Sequence, residues 1–168
     1  MTLKLIAVTG TPGVGKSAIA KKLSLLLDYA YLNGSELVKT AHLAEKYDKR
    51  RRTAVVDASL FTHAVLKVRD SEAKKGSKGL LVDSHMAHFL PKKAVSACIV
   101  LSCSLPELSQ RLAKRGYSKA KIRENLDAEI FDTILVEAFE NGHKIIKFDA
   151  TKPAEKSIKI LAKRIKNI

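Results

Sequence analysis

The segment GTPGVGKS, at residues 10–17, constrains the fold of this chain more than any other feature of its sequence. It satisfies the pattern G-x-x-x-x-G-K-[ST], and it lies between an apolar run at residues 3–8 and a helical pattern at residues 16–27. Its glycines let the backbone curl so that successive N–H groups point inward, where the positive end of the following helix also attracts anions. The segment therefore predicts a strand, a phosphate-binding P-loop and a helix. A tight turn without a ligand is the alternative interpretation.

Short apolar runs alternate with longer helical patterns along the rest of the chain. Further strands are predicted at residues 79–83, 97–101 and 144–148, with a weaker one at 29–32. Further helices are predicted at residues 35–47, 56–74, 105–114, 118–141 and 153–168. The strands are largely apolar rather than alternating, which is typical of a parallel sheet covered on both faces. We therefore expect an α/β fold with a doubly wound, five-stranded parallel sheet in a three-layer sandwich, and ligands beyond the carboxyl ends of its strands.

The composition fits a single domain, because 168 residues with 46% hydrophobic content can bury a core of their own. No run reaches the roughly 18 apolar residues that a membrane span requires, and the run at 3–8 leads into a glycine-rich loop, unlike a signal peptide. Cys98 and Cys103 lack the spacing of a metal-binding pair, so they are interpreted as buried thiols in a reducing compartment. We expect a cytoplasmic protein that does not enter the membrane.

The chain is strongly basic, with 31 Lys and Arg against 17 Asp and Glu and a formal net charge of +14. This excess is larger than one small phosphate ligand requires, so RNA or a ribonucleoprotein surface is a candidate partner. A lysine-rich solvated surface explains the same charge equally well. The basic cluster at residues 46–52, expected between two helical segments, allows the same two interpretations.

Three polar residues are placed by the pattern to act on bound phosphates. Lys16 would contact the β- and γ-phosphates of a nucleoside triphosphate, and the Ser17 hydroxyl would bind Mg²⁺. Asp83 closes the predicted strand 79–83 and so lies at the same sheet edge as the P-loop. A carboxylate there can hold the magnesium hydration shell or orient the attacking group, although an aspartate after a strand is otherwise a turn residue.

A histidine and two arginines complete the candidate catalytic set. His85 follows Asp83 by two positions and can polarise water near neutral pH, whereas a purely structural histidine is the alternative. Arg111 and Arg115 are four residues apart on a predicted helix, so they share one face. Two guanidinium groups there would stabilise the charge of a transferring phosphoryl group, unless they belong to an ordinary solvated helix face.

These motifs resemble the adenylate kinase isoenzyme six family, also called the coilin-interacting nuclear ATPase family, which has archaeal relatives and belongs to the nucleoside-monophosphate-kinase superfamily. The resemblance is carried over nearly the whole chain by TGTPGVGKS at 9–17, VDSH at 82–85, RL at 111–112, RGY at 115–117 and KIREN at 121–125, continuing to Glu129. The Asp-x-His element and the Arg-Gly-Tyr element followed by Glu-Asn are its most diagnostic parts.

The resemblance implies one kinase-like domain over residues 1–168, with a monophosphate-binding insertion at about 33–56 and a short lid at about 110–120. It implies adenylate kinase activity, in which ATP and AMP give two ADP with Mg²⁺, together with ATP hydrolysis. It further implies a role in small ribosomal subunit maturation beside a platform ribosomal protein and small-subunit rRNA, as a monomer or weak oligomer. A ribosome-assembly ATPase with little kinase activity, and a small-metabolite kinase of the shikimate type, are the alternatives.

The resemblance also implies individual roles. Its ATP-binding residues are Gly13, Val14, Gly15, Lys16, Ser17, Ala18 and Arg111. The implied magnesium-binding residues are Ser17 and Asp83. Asp83 and His85 are implied to act on the magnesium ion and on water. The sequence departs from the family at Ala18, where a threonine is common, at Lys39, near an expected monophosphate-binding arginine, and at the unusually basic residues 49–52.

Overall fold

The computed structural model describes residues 3–48 and 53–168 of the chain. Within these residues the strands are β1 (Lys4–Gly10), β2 (Ala30–Asn33), β3 (Ala44–Asp48), β4 (Thr53–Val56), β5 (Gly79–Asp83), β6 (Ala97–Ser102) and β7 (Ile145–Asp149). The helices are α1 (Lys16–Leu27), α2 (Gly34–Thr40), α3 (Ala58–Lys74), α4 (Leu105–Lys114), α5 (Lys119–Ile130), α6 (Thr133–Glu140) and α7 (Glu155–Lys166).

The central sheet has five parallel strands in the order β2-β5-β1-β6-β7, which confirms the predicted fold class. Side chains of β1 alternate between its two faces, as expected for a strand. Ile6 and Val8 pack with buried residues of α1, α4 and α7, whereas Leu5 and Ala7 pack with buried residues of α3 and α6. Helices therefore cover both faces, and this double burial explains why the strands are apolar throughout.

The sheet register brings the predicted site residues to one edge. Val8 pairs with Asp83 across β1 and β5, and Asn33 pairs with Asp83 across β2 and β5. The P-loop leaves β1 just beyond Val8, so the carboxyl ends of three neighbouring strands meet around it. Among the described residues, every helix is too short or too polar to cross a membrane.

The predicted helix at residues 35–47 is wrong in its second half. Helix α2 ends at Thr40, His42 adopts a left-handed φ of 51°, and the N–H of Leu43 donates to the Val38 carbonyl at 3.0 Å. This is the hydrogen bond of a Schellman-type helix end. The chain then forms the antiparallel pair β3–β4, so the start of the basic cluster 46–52 lies in a strand between α2 and α3. Its residues 49–52 lie outside the described part of the chain.

The single long helix predicted at residues 118–141 is also wrong, because the structure has two helices there. Helix α5 ends at Ile130, and α6 begins after Asp132, whose φ of 50° and ψ of 33° are left-handed. Aspartate tolerates this conformation better than most residues, and it breaks the helical hydrogen-bond series. The change of direction lets Glu129 of α5 contact Thr11 after β1 and Glu137 of α6 contact His88 after β5.

Candidate functional site

The loop between β1 and α1 has a backbone that only glycine can adopt. Gly10, Gly13 and Gly15 all have positive φ, at 146°, 98° and 109°. A Cβ at Gly10 would lie 2.5 Å from the Leu101 carbonyl oxygen, and one at Gly13 would lie 2.8 Å from Leu112 Cδ2. Gly15 is the N-cap residue of α1 and offers no side chain to its first N–H groups. Those groups are therefore available to an anion, as in a P-loop.

Lys16 lies over the inner side of this loop. Its ammonium donates to the carbonyl oxygens of Gly10, at 2.8 Å, and Thr11, at 3.1 Å. The pKa of Lys16 is lowered from 10.5 to about 8, chiefly by burial and also by the charge of Arg115, against the opposing effect of the negative charges of Asp83 and Glu129. The ammonium is thus mostly charged at pH 7 and is held where phosphates would approach the loop.

Ser17, Asp83 and Tyr31 form one hydrogen-bonded group beside Lys16. The hydroxyls of Ser17 and Tyr31 both donate to Oδ2 of Asp83, at 2.5 and 2.8 Å. Asn33 donates from Nδ2 to the Tyr31 hydroxyl at 3.3 Å. The Ser17 and Asp83 oxygens are hard donors next to a phosphate-binding loop, and this chemistry suits Mg²⁺, which takes oxygen ligands and keeps several waters. Tyr31 and Asn33 were not predicted as site residues.

The P-loop, the end of β5 and the segment after α4 enclose a cleft of about 550 Å³. Its lining residues include Lys16, Ser17, Asp83, His85, Arg115 and Tyr117. The His85 ring reaches solvent at the mouth of this cleft. Loss of hydration among the surrounding protein lowers the pKa of His85 to about 4, and the charges of Lys16 and His88 add to this effect. The imidazole is therefore neutral at pH 7 and can accept a proton or a hydrogen bond.

The two arginines do not share one task. Arg115 is the C-cap residue of α4 and lines the cleft. Arg111 donates to the Val14 carbonyl oxygen at 2.7 Å and to the Thr151 carbonyl oxygen at 2.6 Å, and its Nε donates to Glu107 at 2.9 Å. Arg111 thus joins the P-loop to the segment after β7 and is not among the residues that line the phosphate cleft. The two arginines predicted to clamp a phosphoryl group thus differ in position: Arg115 lines the cleft, whereas Arg111 supports the P-loop from outside it.

The predicted ATP-binding residues otherwise gather on one surface. Gly13, Gly15, Lys16, Ser17 and Ala18 line the cleft, whereas the side chain of Val14 is buried in the core beneath the loop.

Two acidic side chains form long-range contacts near the site, Glu129 with the P-loop and Glu137 with His88, and sequence patterns did not single them out as site residues. Glu129 accepts from the Thr11 hydroxyl at 2.6 Å and from the Cys103 N–H at 2.7 Å. Glu137 is joined to Nε2 of His88 at 2.9 Å. The contacts span 118 and 49 residues of sequence, so local spacing contains no signal for them. For Glu129, its place within the segment that carries the family resemblance is the one sequence signal available.

The fold and this cleft define a P-loop protein of the kinase-like α/β class. A family model described as an AAA domain matches residues 6–132. A protein of Methanosarcina acetivorans is 36% identical over 148 residues, which cover 88% of this chain and 77% of that protein. A protein of Pyrococcus abyssi is 34% identical over 154 residues, which cover 92% and 79%. Both are named "Putative adenylate kinase". The chain belongs to this family of archaeal P-loop proteins.

Solved structures support the same fold at low sequence identity. A sugar kinase from Janibacter sp. HTCC2649 has a TM-score of 0.64 and 15% identity, covering 96% of this chain and 93% of that chain. A shikimate kinase from Acinetobacter baumannii has a TM-score of 0.55 and 16% identity, covering 99% and 92%. At such identities the likeness concerns the fold alone. The sequence-based placement in the P-loop nucleoside-monophosphate-kinase-like class is confirmed, whereas the narrower isoenzyme six assignment stays a prediction.

Proposed function

We propose that this protein is an adenylate kinase that transfers the γ-phosphoryl group of ATP to AMP and releases two ADP. The observation that carries this proposal is the convergence of Lys16, Asp83, His85 and Arg115 on the cleft beside the P-loop. The relatives named "Putative adenylate kinase" support AMP as the acceptor. The reaction forms a bond between an AMP phosphate oxygen and the γ-phosphorus and breaks the bond to the β-phosphate oxygen.

The ATP phosphates are assigned to the loop backbone and to Lys16. Gly13, Gly15 and Ala18 line the cleft, and the N–H groups of such a loop bind phosphate oxygens; Ala18 contributes its N–H without the hydroxyl that a threonine would add. Arg111 holds the loop from its other side through the Val14 carbonyl oxygen. Phosphoryl transfer spreads negative charge over the equatorial oxygens, so the cations Lys16 and Arg115 stabilise the transition state electrostatically.

Magnesium is assigned to Ser17 and Asp83, whose oxygens already lie together at the cleft. When bound, Mg²⁺ neutralises charge on the phosphate oxygens. Tyr31 keeps the Asp83 carboxylate at this place through its own hydroxyl. His85 is neutral at pH 7, so it orients the attacking group or, in hydrolysis, a water molecule, by accepting a hydrogen bond.

The acceptor is assigned to the insertion at residues 33–56, and the segment at 110–120 is assigned the role of a lid. Asn33 and Ser35 line the cleft on the side of α2. Lys39 lies exposed on α2 and is the nearest counterpart of the arginine expected in the family. Closure of the lid brings Arg115 and Tyr117 over the phosphates and excludes water.

Coupled assays test this proposal directly. ADP formation from ATP plus AMP measures the kinase reaction, and release of inorganic phosphate from ATP alone measures hydrolysis. Lys16→Ala is expected to abolish both, and His85→Ala is expected to reduce hydrolysis more than transfer. Lys22→Ala, which removes an exposed lysine from the same helix, is the matched control. Equal ADP formation by the parent and Lys16→Ala would contradict the proposed site.

The net charge of +14 favours a second candidate, an ATPase of small ribosomal subunit assembly that binds a platform ribosomal protein and small-subunit rRNA. This candidate requires phosphate release to rise when pre-ribosomal particles are added, and to fall again as salt is raised. ADP formation from AMP that is unaffected by particles favours the kinase instead. Shikimate as acceptor tests the small-metabolite alternative. The cytoplasmic location and the monomeric or weakly oligomeric state stay predictions.

A further inference from the structure

Glu129 uses both carboxylate oxygens to join two loops at the phosphate site. Oε2 accepts from the hydroxyl of Thr11 in the P-loop at 2.6 Å, and Oε1 accepts from the N–H of Cys103, which follows β6, at 2.7 Å. Glu129 belongs to neither loop, since it lies near the end of α5. A carboxylate with two well-placed donors is a strong and directional acceptor, so it fixes the relative position of both loops.

Thr11 contacts both Glu129 and Lys16, the proposed catalytic lysine. Its side chain is almost fully buried, at 2% exposure, and its hydroxyl donates to Glu129. Its carbonyl oxygen accepts from the ammonium of Lys16 at 3.1 Å and from the N–H of Val14 at 3.3 Å. A change in the position of Thr11 therefore changes the position of the Lys16 ammonium and of the loop N–H groups.

Helix α5 also contacts the opposite side of the site. Lys121, near its start, lines the phosphate cleft, whereas Glu129 lies behind the loop. The eight-residue separation corresponds to about 12 Å along a helix, so one rigid element contacts both the lid side and the rear of the P-loop. The left-handed Asp132 ends this element soon after Glu129.

We propose that Glu129 is a positioning residue that holds Thr11, and through it Lys16, in the conformation that binds the triphosphate. The inference rests on the proposed function, because it assigns Glu129 to the same phosphate site. Glu129 touches no phosphate in this arrangement. It acts through Thr11, and it makes α5 the link between the lid segment and the P-loop.

The test compares Glu129→Gln with the parent by titration of a non-hydrolysable ATP analogue with magnesium at pH 7. We expect affinity to fall by about 10- to 100-fold, the range for loss of a charged hydrogen-bond acceptor. Glu124→Gln removes the same charge from an exposed position on the same helix and is expected to leave the affinity unchanged.

Thr11 variants separate positioning from a general loss of structure. Thr11→Ser keeps the hydroxyl that donates to Glu129 and is expected to retain affinity, whereas Thr11→Val is expected to lose it. Adding Glu129→Gln to Thr11→Val is expected to cost less than Glu129→Gln alone, because the shared contact is already gone.

Parent-like affinity in folded Glu129→Gln overturns the inference. The measured quantity is binding of the analogue, so the two proposals can fail separately. A parent protein that binds the analogue but has no kinase activity would contradict the kinase proposal and leave the test of Glu129 valid.

Discussion

The hydroxyl of Thr9 lies 3.1 Å from Nδ1 of His88, although 79 residues separate them in the sequence. His88 is itself joined through Nε2 to Glu137 at 2.9 Å, and its carbonyl oxygen accepts from Nε2 of His143 at 2.8 Å. The carboxylate of Glu137 can only accept while it is ionised, so it assigns the proton to Nε2 and leaves Nδ1 to accept from Thr9. Thr9, just before Gly10, is thus linked through His88 to Glu137 of α6. Thr11 is linked directly to Glu129 of α5.

Replacement of His88 is expected to destabilise the fold. His88→Leu removes the acceptor of the buried Thr9 hydroxyl, and an unsatisfied buried donor costs about 1–3 kcal/mol of unfolding free energy. Urea unfolding followed by circular dichroism measures the loss. His63→Leu, at an exposed position on α3, is the control. The double variant with Thr9→Val should recover part of the loss, and simple additivity of the two changes would contradict the proposed contact.

Stability is expected to fall as the pH is lowered from 7 to 5. The pKa of His88 and of His85 is lowered from the usual 6.5, in both cases chiefly by loss of hydration. Below about pH 6.5 the unfolded chain therefore binds protons at these histidines that the folded chain does not bind. The stability that is present above about pH 6.5 is lost as the pH falls toward the lowered pKa values of the folded chain. Urea unfolding at pH 7, 6 and 5 checks this. His88→Leu combined with His85→Gln should flatten the dependence, and an unchanged slope would refute the assignment.

The affinity for ATP is expected to fall above about pH 8. Burial lowers the pKa of Lys16 to about 8, so the free protein loses its phosphate-binding charge above that value. A plot of log kcat/KM for ATP should bend near pH 8 and decline by about one unit per pH unit, as for a single group. The bend in log kcat should lie at higher pH, because bound phosphates retain the proton. Coincident bends in the two plots would contradict this explanation.

The hydroxyl of Tyr31 is expected to matter for magnesium. Tyr31→Phe removes one of the two hydroxyl donors to Asp83 Oδ2 and leaves that carboxylate less well oriented. A hydrogen bond to a charged group contributes about 1.5–3 kcal/mol, so the magnesium concentration at half-maximal activity should rise at least several-fold. Tyr29→Phe is the control, since Tyr29 lies just before the same strand but packs on Gly79 at the opposite end of β5. An equal effect of both changes would argue against the role of Tyr31.

Local sequence signals were sufficient to predict the two helices that lie next to the P-loop. The predicted bounds of α1 and α4 agree with the structure, because a P-loop glycine precedes the first and a serine-proline start precedes the second. The β3–β4 pair was missed, since β3 has the sequence AEKYD and its strand conformation depends on pairing with residues farther along the chain.

Long-range contacts account for the site residues that sequence patterns did not supply. Asp83 was predicted because it ends an apolar strand, whereas Tyr31 depends on which strand lies beside β5. The His88–Glu137 and Thr11–Glu129 contacts depend on the break at Asp132, which directs α5 and α6 separately. A single left-handed aspartate has no periodic signal in the sequence, so these contacts become visible only in the folded chain.

The last prediction separates two costs of replacing a P-loop glycine. Gly13 and Gly76 both have positive φ, at 98° and 81°, so an alanine at either is expected to lose about 1–2 kcal/mol of unfolding free energy through backbone strain. Only at Gly13 does the added Cβ meet α4, at 2.8 Å from Leu112 Cδ2, whereas none of the described atoms lies within 4 Å of a Cβ at Gly76. Gly13→Ala must displace the buried Leu112 side chain, and this disturbs the packing of the helix that carries Arg111, whose guanidinium donates to the Val14 carbonyl oxygen. Titration with a fluorescent ATP analogue should therefore show weakened binding for Gly13→Ala and parent-like binding for Gly76→Ala, and equal affinities would show that α4 does not support the loop.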